Sequence, residues 1–197
     1  MLRQSGIFSR YSRNEFRAAM KSFLKKTAIW VGALLLAFIL FSFLLPKEIK
    51  VSRSITIDAP IDRVFDQVND LRNWEKWSPW KRTDPMMEMT FSNPPLGEGA
   101  FYKWESNDKR LGSGTMTLAK VTTNEEIITA LHSDDWGDES ARFLFGHKGK
   151  QVEVTWEMDH EMKGMPWNRY CGLMMKSKLK KQFDKGLDGL KFYSEKS

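Results

Sequence analysis

The amino-acid sequence predicts an α+β protein with one transmembrane helix, followed by an antiparallel sheet that lies against a long C-terminal helix. Three observations predict this architecture. Residues 27–45 form an uncharged apolar run near the N-terminus. Residues 87–162 contain a series of strand-like segments separated by turn residues. Beyond Gly164 and Pro166, apolar residues recur at helical spacing as far as Tyr193.

The apolar run TAIWVGALLLAFILFSFLL is long enough to cross a bilayer, because a helix of nineteen residues spans roughly 28 Å. Lys25 and Lys26 precede it, and Pro46 follows it. A buried core helix is disfavoured because the run is apolar all round and the rest of the chain offers no neighbouring core large enough to hide it. A cleaved signal peptide also begins with basic and apolar regions, but this run lacks a small-x-small cleavage site. We therefore expect an uncleaved anchor.

The basic residues predict the orientation of this anchor. Residues 1–26 hold seven of the 31 basic and one of the 25 acidic residues. The positive-inside rule then places the N-terminus in the cytoplasm and the following domain on the periplasmic or outer side of the cytoplasmic (inner) membrane. Within the tail, Phe16, Met20 and Phe23 recur at helical spacing, which is typical of a basic amphipathic helix on anionic lipid. A frayed basic tail is the alternative.

The charge of the remaining chain argues against nucleic-acid binding. Outside residues 1–26 the sequence holds 24 basic and 24 acidic residues, so the formal net charge of +6 resides in the tail. The single cysteine, Cys171, cannot form an internal disulfide, and no Cys/His spacing typical of a zinc site is present. The sequence therefore predicts neither a metal nor a cofactor.

The first elements of the domain follow from local patterns. An extended segment that starts at Lys50 alternates apolar and polar residues, which predicts a strand. Pro60 suits the first turn of a helix, and apolar residues at i, i+3, i+4 and i+7 continue from Ile61 to Val68. A second short helix or turn is predicted over residues 70–77.

Six further strands are predicted, separated by turn residues such as those at Asn107-Asp108. Their approximate ranges are 87–93, 99–106, 113–122, 125–133, 140–147 and 151–162. The last alternates without a break, with Val152, Trp156 and His160 on one side and acidic or polar residues on the other. Such alternation is typical of an antiparallel sheet that is covered on one face.

The final predicted element is a helix from Trp167 to about Tyr193, roughly seven turns long. Lysines line one side of it, as expected for a solvated surface. Its apolar face is assigned to Cys171, Met175, Leu179, Phe183, Leu187 and Leu190.

This order of elements, together with four local stretches, resembles the START-like helix-grip superfamily. The stretches are Arg53–Pro60, Val68–Trp74, Trp77–Trp80 and Gly112–Thr117. The likeness is strongest to the SRPBCC proteins of the polyketide cyclase/dehydrase type, and it covers about residues 49–194. The resulting domain organisation is a basic cytoplasmic tail at 1–26, a transmembrane helix at 27–45 and a START-like ligand-binding domain at 49–194.

The resemblance implies a cavity between the sheet and the long helix, with a small hydrophobic ligand or lipid as its occupant. Projected onto this sequence, the ligand-binding residues are Tyr102, Trp104, Met116, Leu118, Val154, Trp156, Met158, Met175 and Leu179. Aromatic rings and methionines suit flat or irregular apolar ligands. Ordinary core packing is the alternative role for each of them, since close-packed interiors use the same residue types.

Residues that could carry catalysis or bind metal give weaker signals. His160 is the one histidine with the parity of a buried strand face, but it lies near a strand end, where a solvated imidazole is the favoured interpretation, and no base or acid partner is evident. Trp74, Trp77 and Trp80 either contact a ligand or the membrane interface, or pack the short helices onto the sheet. The latter is favoured.

Four acidic residues gather around Gly137, and a solvated turn is a better interpretation of them than a calcium loop. They are Asp134, Asp135, Asp138 and Glu139.

Two functions are therefore carried forward. The leading hypothesis is a membrane-anchored binding module for a small hydrophobic ligand or lipid. The alternative is an enzyme of the polyketide cyclase or dehydratase kind that acts on an apolar or aromatic substrate. A domain that serves only as an interaction module is a third possibility. No sequence motif identifies a catalytic residue.

Overall fold

A computed structural model describes residues 5–134, 137–162 and 164–196, with side chains of the first helix described from Glu15 onward. The chain divides into two compact units. The first holds the N-terminal segment as far as Pro46 together with Gly164–Tyr170. The second holds the sheet and its helices, and it carries most of the chain.

The first unit is built on one helix, α1 (Ser5–Ser42). Its portion Glu15–Ser42 is the one helix in the described part of the chain that is long and apolar enough to cross a membrane. No proline interrupts residues 5–45, which is why the basic tail and the apolar run share a continuous helix. The helix ends at Ser42, three residues before the end of the apolar run, and a turn leads to Pro46.

Within the described residues, the second unit contains one seven-stranded antiparallel sheet, which confirms the predicted α+β class. The strands are β1 (Glu48–Ile57), β2 (Glu88–Phe91), β3 (Phe101–Glu105), β4 (Ser113–Thr122), β5 (Glu126–Ser133), β6 (Gly137–Lys148) and β7 (Gln151–Glu161). Their order across the sheet is β1-β7-β6-β5-β4-β3-β2. The first strand therefore pairs with the last, from Glu48 opposite Glu161 to Ile57 opposite Val152.

The helices of this unit follow the predicted order with one addition. They are α2 (Ile61–Asn69), a 3-10 turn (Leu71–Asn73), α3 (Trp74–Trp77), α4 (Pro79–Thr83) and the long α5 (Asn168–Lys196). Helix α4 was not predicted from the sequence. Pro79 occupies its first turn, where a missing backbone N–H costs nothing.

Helix α5 lies along β1 on the buried face of the sheet. Gly172 lies against Ile49, Arg53 pairs with Asp184, and Lys191 donates to the Thr56 carbonyl. The two elements therefore run in the same direction.

The apolar face predicted for α5 is wrong at its N-terminal end. Cys171 is exposed, and Gly172 is the buried residue. The prediction stepped by four residues, and each step of four turns a helix by about 40° beyond a full circle. The four steps that separate Cys171 from Leu187 accumulate roughly 160°, which carries Cys171 to the opposite side.

Aromatic rings form the centre of the core. The Trp156 ring stacks on Phe183 with 4.1 Å between ring centroids and on Phe143 with 4.7 Å. Trp74 and Trp77 are fully buried, and their indole N–H groups donate to backbone carbonyls of α2 at 2.8 and 2.9 Å. The favoured core-packing interpretation is therefore confirmed for these two tryptophans.

Candidate ligand-binding face

The seven predicted ligand-binding residues of the sheet all lie on the face that α5 covers. Cross-strand register places Tyr102 opposite Met116, and alternation puts Val154, Trp156 and Met158 on the same side. Six of the seven are buried and Met158 is half-buried. On α5, Met175 and Leu179 are half-buried and pack against the core. Burial raises the pKa of Tyr102, so its phenol is neutral near pH 7.

Burial changes abruptly along α5. Between Gly172 and Phe183 every residue of the helix is half-buried or exposed. From Phe183 to Ser194, by contrast, glycines and leucines are packed tightly, and Gly186 lies so close to Trp156 that a Cβ atom there would be 2.7 Å from its ring. The first half of α5 is therefore loosely packed on the sheet, and the second half is packed closely.

The strands beneath the loosely packed half show the same change. Near one end of β5, β6 and β7 the inner-face side chains of Leu131, Ala141 and Met158 are half-buried, although the next inner-face residues toward the middle of these strands are buried, as is Ser133 at the end of β5. Register aligns these ends, because Leu131 lies opposite Glu139 and Ala141 opposite Met158. We name this region the open patch. Its members are Leu131, Glu139, Ala141, Met158, His160, Met175 and Leu179.

A carboxylate–imidazole pair lies within the open patch. Glu139 Oε1 contacts His160 Nδ1, and their side chains are 11% and 19% exposed. The carboxylate can hold the imidazole in one orientation, which directs its other nitrogen, Nε2, away from Glu139. No described residue forms a hydrogen bond with Nε2. This nitrogen is free to bind a polar group or to exchange a proton.

Sequence reasoning placed His160 on the inner face but expected a solvated imidazole there, and it missed Glu139 as the partner of His160. The predicted strand began at residue 140, whereas β6 begins at Gly137 and includes Glu139. Glu139 has the same parity as Ala141 and Phe143, which face the core. Extending the alternation upstream by one step would have placed this acid on the inner face.

Trp156 contributes an unsatisfied polar group near the same region. Its Nε1 is buried and has no hydrogen-bond partner among the described residues. The Gln182 side-chain oxygen, next to Phe183 in α5, is also buried and unpaired. Buried polar groups are nearly always paired with protein, water or ligand, so these two atoms are candidate partners for a water molecule or for a polar group of a ligand.

A separate depression of about 620 Å³ lies at the edge formed by β2–β5. It is lined mainly by outer-face polar side chains, including Glu88, Lys103 and His132. His132 accepts or donates a hydrogen bond at 2.6 Å with Asp138, and this bond raises the pKa of His132. Such a lining does not suit an apolar ligand.

The acidic residues around Gly137 do not act as one group. Asp134 accepts a hydrogen bond from Ser113 and Asp138 binds His132, while Glu139 lies on the inner face. Asp135 lies outside the described residues. Within the described residues, no cluster of three metal-ligating side chains occurs.

The architecture defines a class. An antiparallel sheet covered on one face by a C-terminal helix, with short helices between its first two strands, is the helix-grip arrangement that the sequence predicted. Residues 48–195 match the model of the polyketide cyclase / dehydrase and lipid transport family. The chain belongs to this family, and the match confirms the resemblance to SRPBCC proteins.

Solved structures agree with the fold. The chain is similar to SA2116 of Staphylococcus aureus, described as a protein of unknown function, with 8% identity, a TM-score of 0.61 and coverage of 75% of this chain and 94% of that one. CalU16 of Micromonospora echinospora gives 13% identity, a TM-score of 0.51 and coverage of 75% and 76%. The Aha1 dimer of Colwellia psychrerythraea gives 15% identity, a TM-score of 0.51 and coverage of 75% of this chain and 96% of that one.

At these identities the likeness establishes the fold alone. The search of curated protein sequences gives no significant match. The family match, by contrast, points to a ligand-binding helix-grip domain.

Proposed function

We propose that this protein is a membrane-anchored module that binds a small hydrophobic molecule, such as a lipid, at the open patch. One observation carries the proposal. Residues 173–182 of α5 contain no buried side chain, although they lie over the sheet and include Met175 and Leu179. The strand ends below them are half-buried too. Apolar surface is therefore left partly uncovered on both sides of one space.

A ligand in this space gains free energy from the apolar surface that it covers. Each methylene group removed from water contributes about 0.8 kcal/mol. Met158 and Met175 have flexible, polarizable side chains that adjust to irregular guests. The open patch is thus suited to a chain or ring of apolar character rather than to one rigid shape.

The polar groups of the region suit a ligand with a hydrogen-bonding end. His160 Nε2 and Trp156 Nε1 lie on the same face of β7, four residues apart. In an extended strand this separation is roughly 13 Å. A molecule with an apolar body and one hydroxyl, carbonyl or carboxyl group would satisfy either nitrogen while covering the apolar side chains.

The anchor follows from α1. Its apolar residues are exposed, including Trp30, Leu34 and Phe41, and a lipid bilayer is the environment that accepts such a surface. The excess of basic residues before the apolar run supports a cytoplasmic N-terminus. A tethered binding domain exchanges apolar ligand beside the membrane, where such molecules concentrate.

Photolabelling tests the proposal. Full-length protein in nanodiscs is irradiated with a diazirine derivative of palmitic acid, and labelled peptides are mapped by mass spectrometry. We expect saturable labelling of the peptides around Met175 and Leu179, suppressed by excess unmodified palmitic acid. Labelling of α1 serves as the internal reference and should not saturate, as for bulk lipid contact. Labelling of the helix-grip domain that is absent or unsaturable contradicts the proposal.

A second candidate, an enzyme of the cyclase or dehydratase kind, is favoured by the Glu139–His160 pair. A half-buried imidazole oriented by a carboxylate is suited to moving a proton. An enzyme would convert the compound it captures. Compounds extracted from the wild type and from His160→Gln would then differ in mass by one water for a dehydration. Identical compounds from the two proteins would favour the binding module.

A further inference from the structure

The first unit of the structure joins two segments that are far apart in sequence. Arg169 donates through Nη1 to the carbonyls of Ser42, Phe43 and Leu45, at 3.3, 3.1 and 3.1 Å. These carbonyls lie at the C-terminal end of α1, where the helix leaves several backbone acceptors without intrahelical partners. A cation is also favoured there by the helix dipole. Arg169 therefore acts as a cap supplied from more than 120 residues away.

Tyr170 reaches farther down the same helix. Its hydroxyl donates to the Phe38 carbonyl at 2.7 Å, and its ring stacks on the Phe38 ring with 4.3 Å between centroids and 9° between planes. Phe38 lies four residues before α1 ends at Ser42, which corresponds to roughly 6 Å along the helix axis. If the apolar run spans the bilayer, Tyr170 lies below the membrane surface.

The hydroxyl of Tyr170 is matched to such a position. An unpaired hydroxyl in hydrocarbon is costly, and the Phe38 carbonyl supplies the partner that water cannot supply there. The Arg169 guanidinium lies 5.9 Å from the Phe43 ring and occupies the level of the helix end, where the charge can meet phospholipid headgroups.

The neighbouring side chains present apolar surface to the surroundings. Phe43, Leu44, Met165 and Trp167 are between 46% and 79% exposed. A large apolar and aromatic group of this kind, next to a half-buried cation, is typical of the belt where a membrane protein meets the headgroup layer.

We infer that Gly164–Tyr170 is a second membrane contact, seated in the interfacial layer of phospholipid at the end of α1, with Trp167 and Met165 in contact with lipid. The inference rests on the proposed anchoring role of α1. It goes beyond that role because it assigns a lipid-binding surface to a segment that follows the sheet, more than 115 residues after α1 ends.

The experiment uses a polarity-sensitive NBD label on the full-length protein in phosphatidylcholine vesicles with a minor fraction of phosphatidylglycerol. The native thiol is removed by Cys171→Ala, and the label is introduced at Trp167→Cys or, in a second protein, at Trp30→Cys in α1. Nitroxide-bearing lipids report depth, with the nitroxide either near the headgroups or near the bilayer centre. Free NBD-cysteine in the aqueous phase is the exposed reference.

We expect the shallow nitroxide to quench the label at position 167 several-fold more strongly than it quenches free NBD-cysteine. The deep nitroxide should quench the label at position 167 less than the shallow nitroxide does. The label at position 30, near the cytoplasmic end of the apolar run, should be quenched well above the free reference. If position 30 is quenched but position 167 behaves like free NBD-cysteine, the anchor stands and the inference is overturned. If neither position is quenched, the anchor fails and the inference fails with it.

Discussion

Truncating two leucines of α5 to alanine should have very different effects, because the helix is loosely packed in its first half and closely packed in its second. Leu187 is 2% exposed within the core, whereas Leu179 is half-buried at the open patch. Removing a fully buried leucine side chain costs about 3 kcal/mol, within a usual range of roughly 2–5. Leu179→Ala removes fewer buried contacts and leaves no closed cavity, so we expect it to lower the free energy of unfolding by only about 1 kcal/mol.

The assay is thermal unfolding of the full-length protein in a mild detergent, with tryptophan fluorescence as the signal. Trp156 stacks on Phe183 in the core, so the signal reports the loss of tertiary packing. For a domain near 150 residues, 1 kcal/mol shifts the Tm by roughly 2–4 °C. Leu187→Ala should therefore lower the Tm by about 6–12 °C and Leu179→Ala by about 2–4 °C. Equal losses for the two variants would refute the difference in packing and would make Leu179 an ordinary core residue.

Two further predictions concern stability. Gly114→Ala should lower the Tm strongly, because its Cβ would lie 2.2 Å from the His132 carbonyl oxygen, whereas Gly146→Ala, whose nearest neighbour is 4.0 Å away, should be tolerated. Similar melting curves for the two variants would contradict this. The Arg72 side chain donates to Asp70 and lowers the pKa of that carboxyl. Asp70 then stabilises the fold above its unfolded pKa of about 3.9, and this contribution is lost as the pH falls through the lower folded-state pKa. The Tm difference between wild type and Asp70→Asn should be present at neutral pH and vanish in acid, and a difference independent of pH would argue against the pair.

Much of the fold could be predicted from the sequence because the patterns that specify it are local. The alternation of β7 requires only that one side of a strand is buried, and it correctly placed Trp156 and His160 on the inner face. The apolar run that becomes the end of α1 is recognisable from composition alone. Most element boundaries were found to within a few residues for the same reason.

The candidate site was less predictable because burial depends on distant packing. The predicted buried face of α5 was wrong at Cys171, because a fixed step of four residues accumulates a rotation around the helix. The packing of Gly172 against Ile49 shows which residue is buried instead. Likewise, Met158 and Val154 lie on the same face of β7 and belong to the same alternating pattern, yet Met158 is half-buried and Val154 is fully buried. That difference arises where α5 is loosely packed over the sheet, and no local pattern records it. The nine predicted ligand-binding residues therefore stay a prediction.

The most direct test fills the open patch. Leu179→Trp adds a large ring to the space between α5 and the strand ends, and saturable photolabelling by the palmitic acid diazirine is then compared with the wild type. If this space is the ligand site, the variant should keep the wild-type Tm within a few degrees and lose the saturable labelling. Retained saturable labelling would show that the ligand binds elsewhere, and a large drop in Tm from overpacking would show that side chains already fill the space; either result would contradict the account.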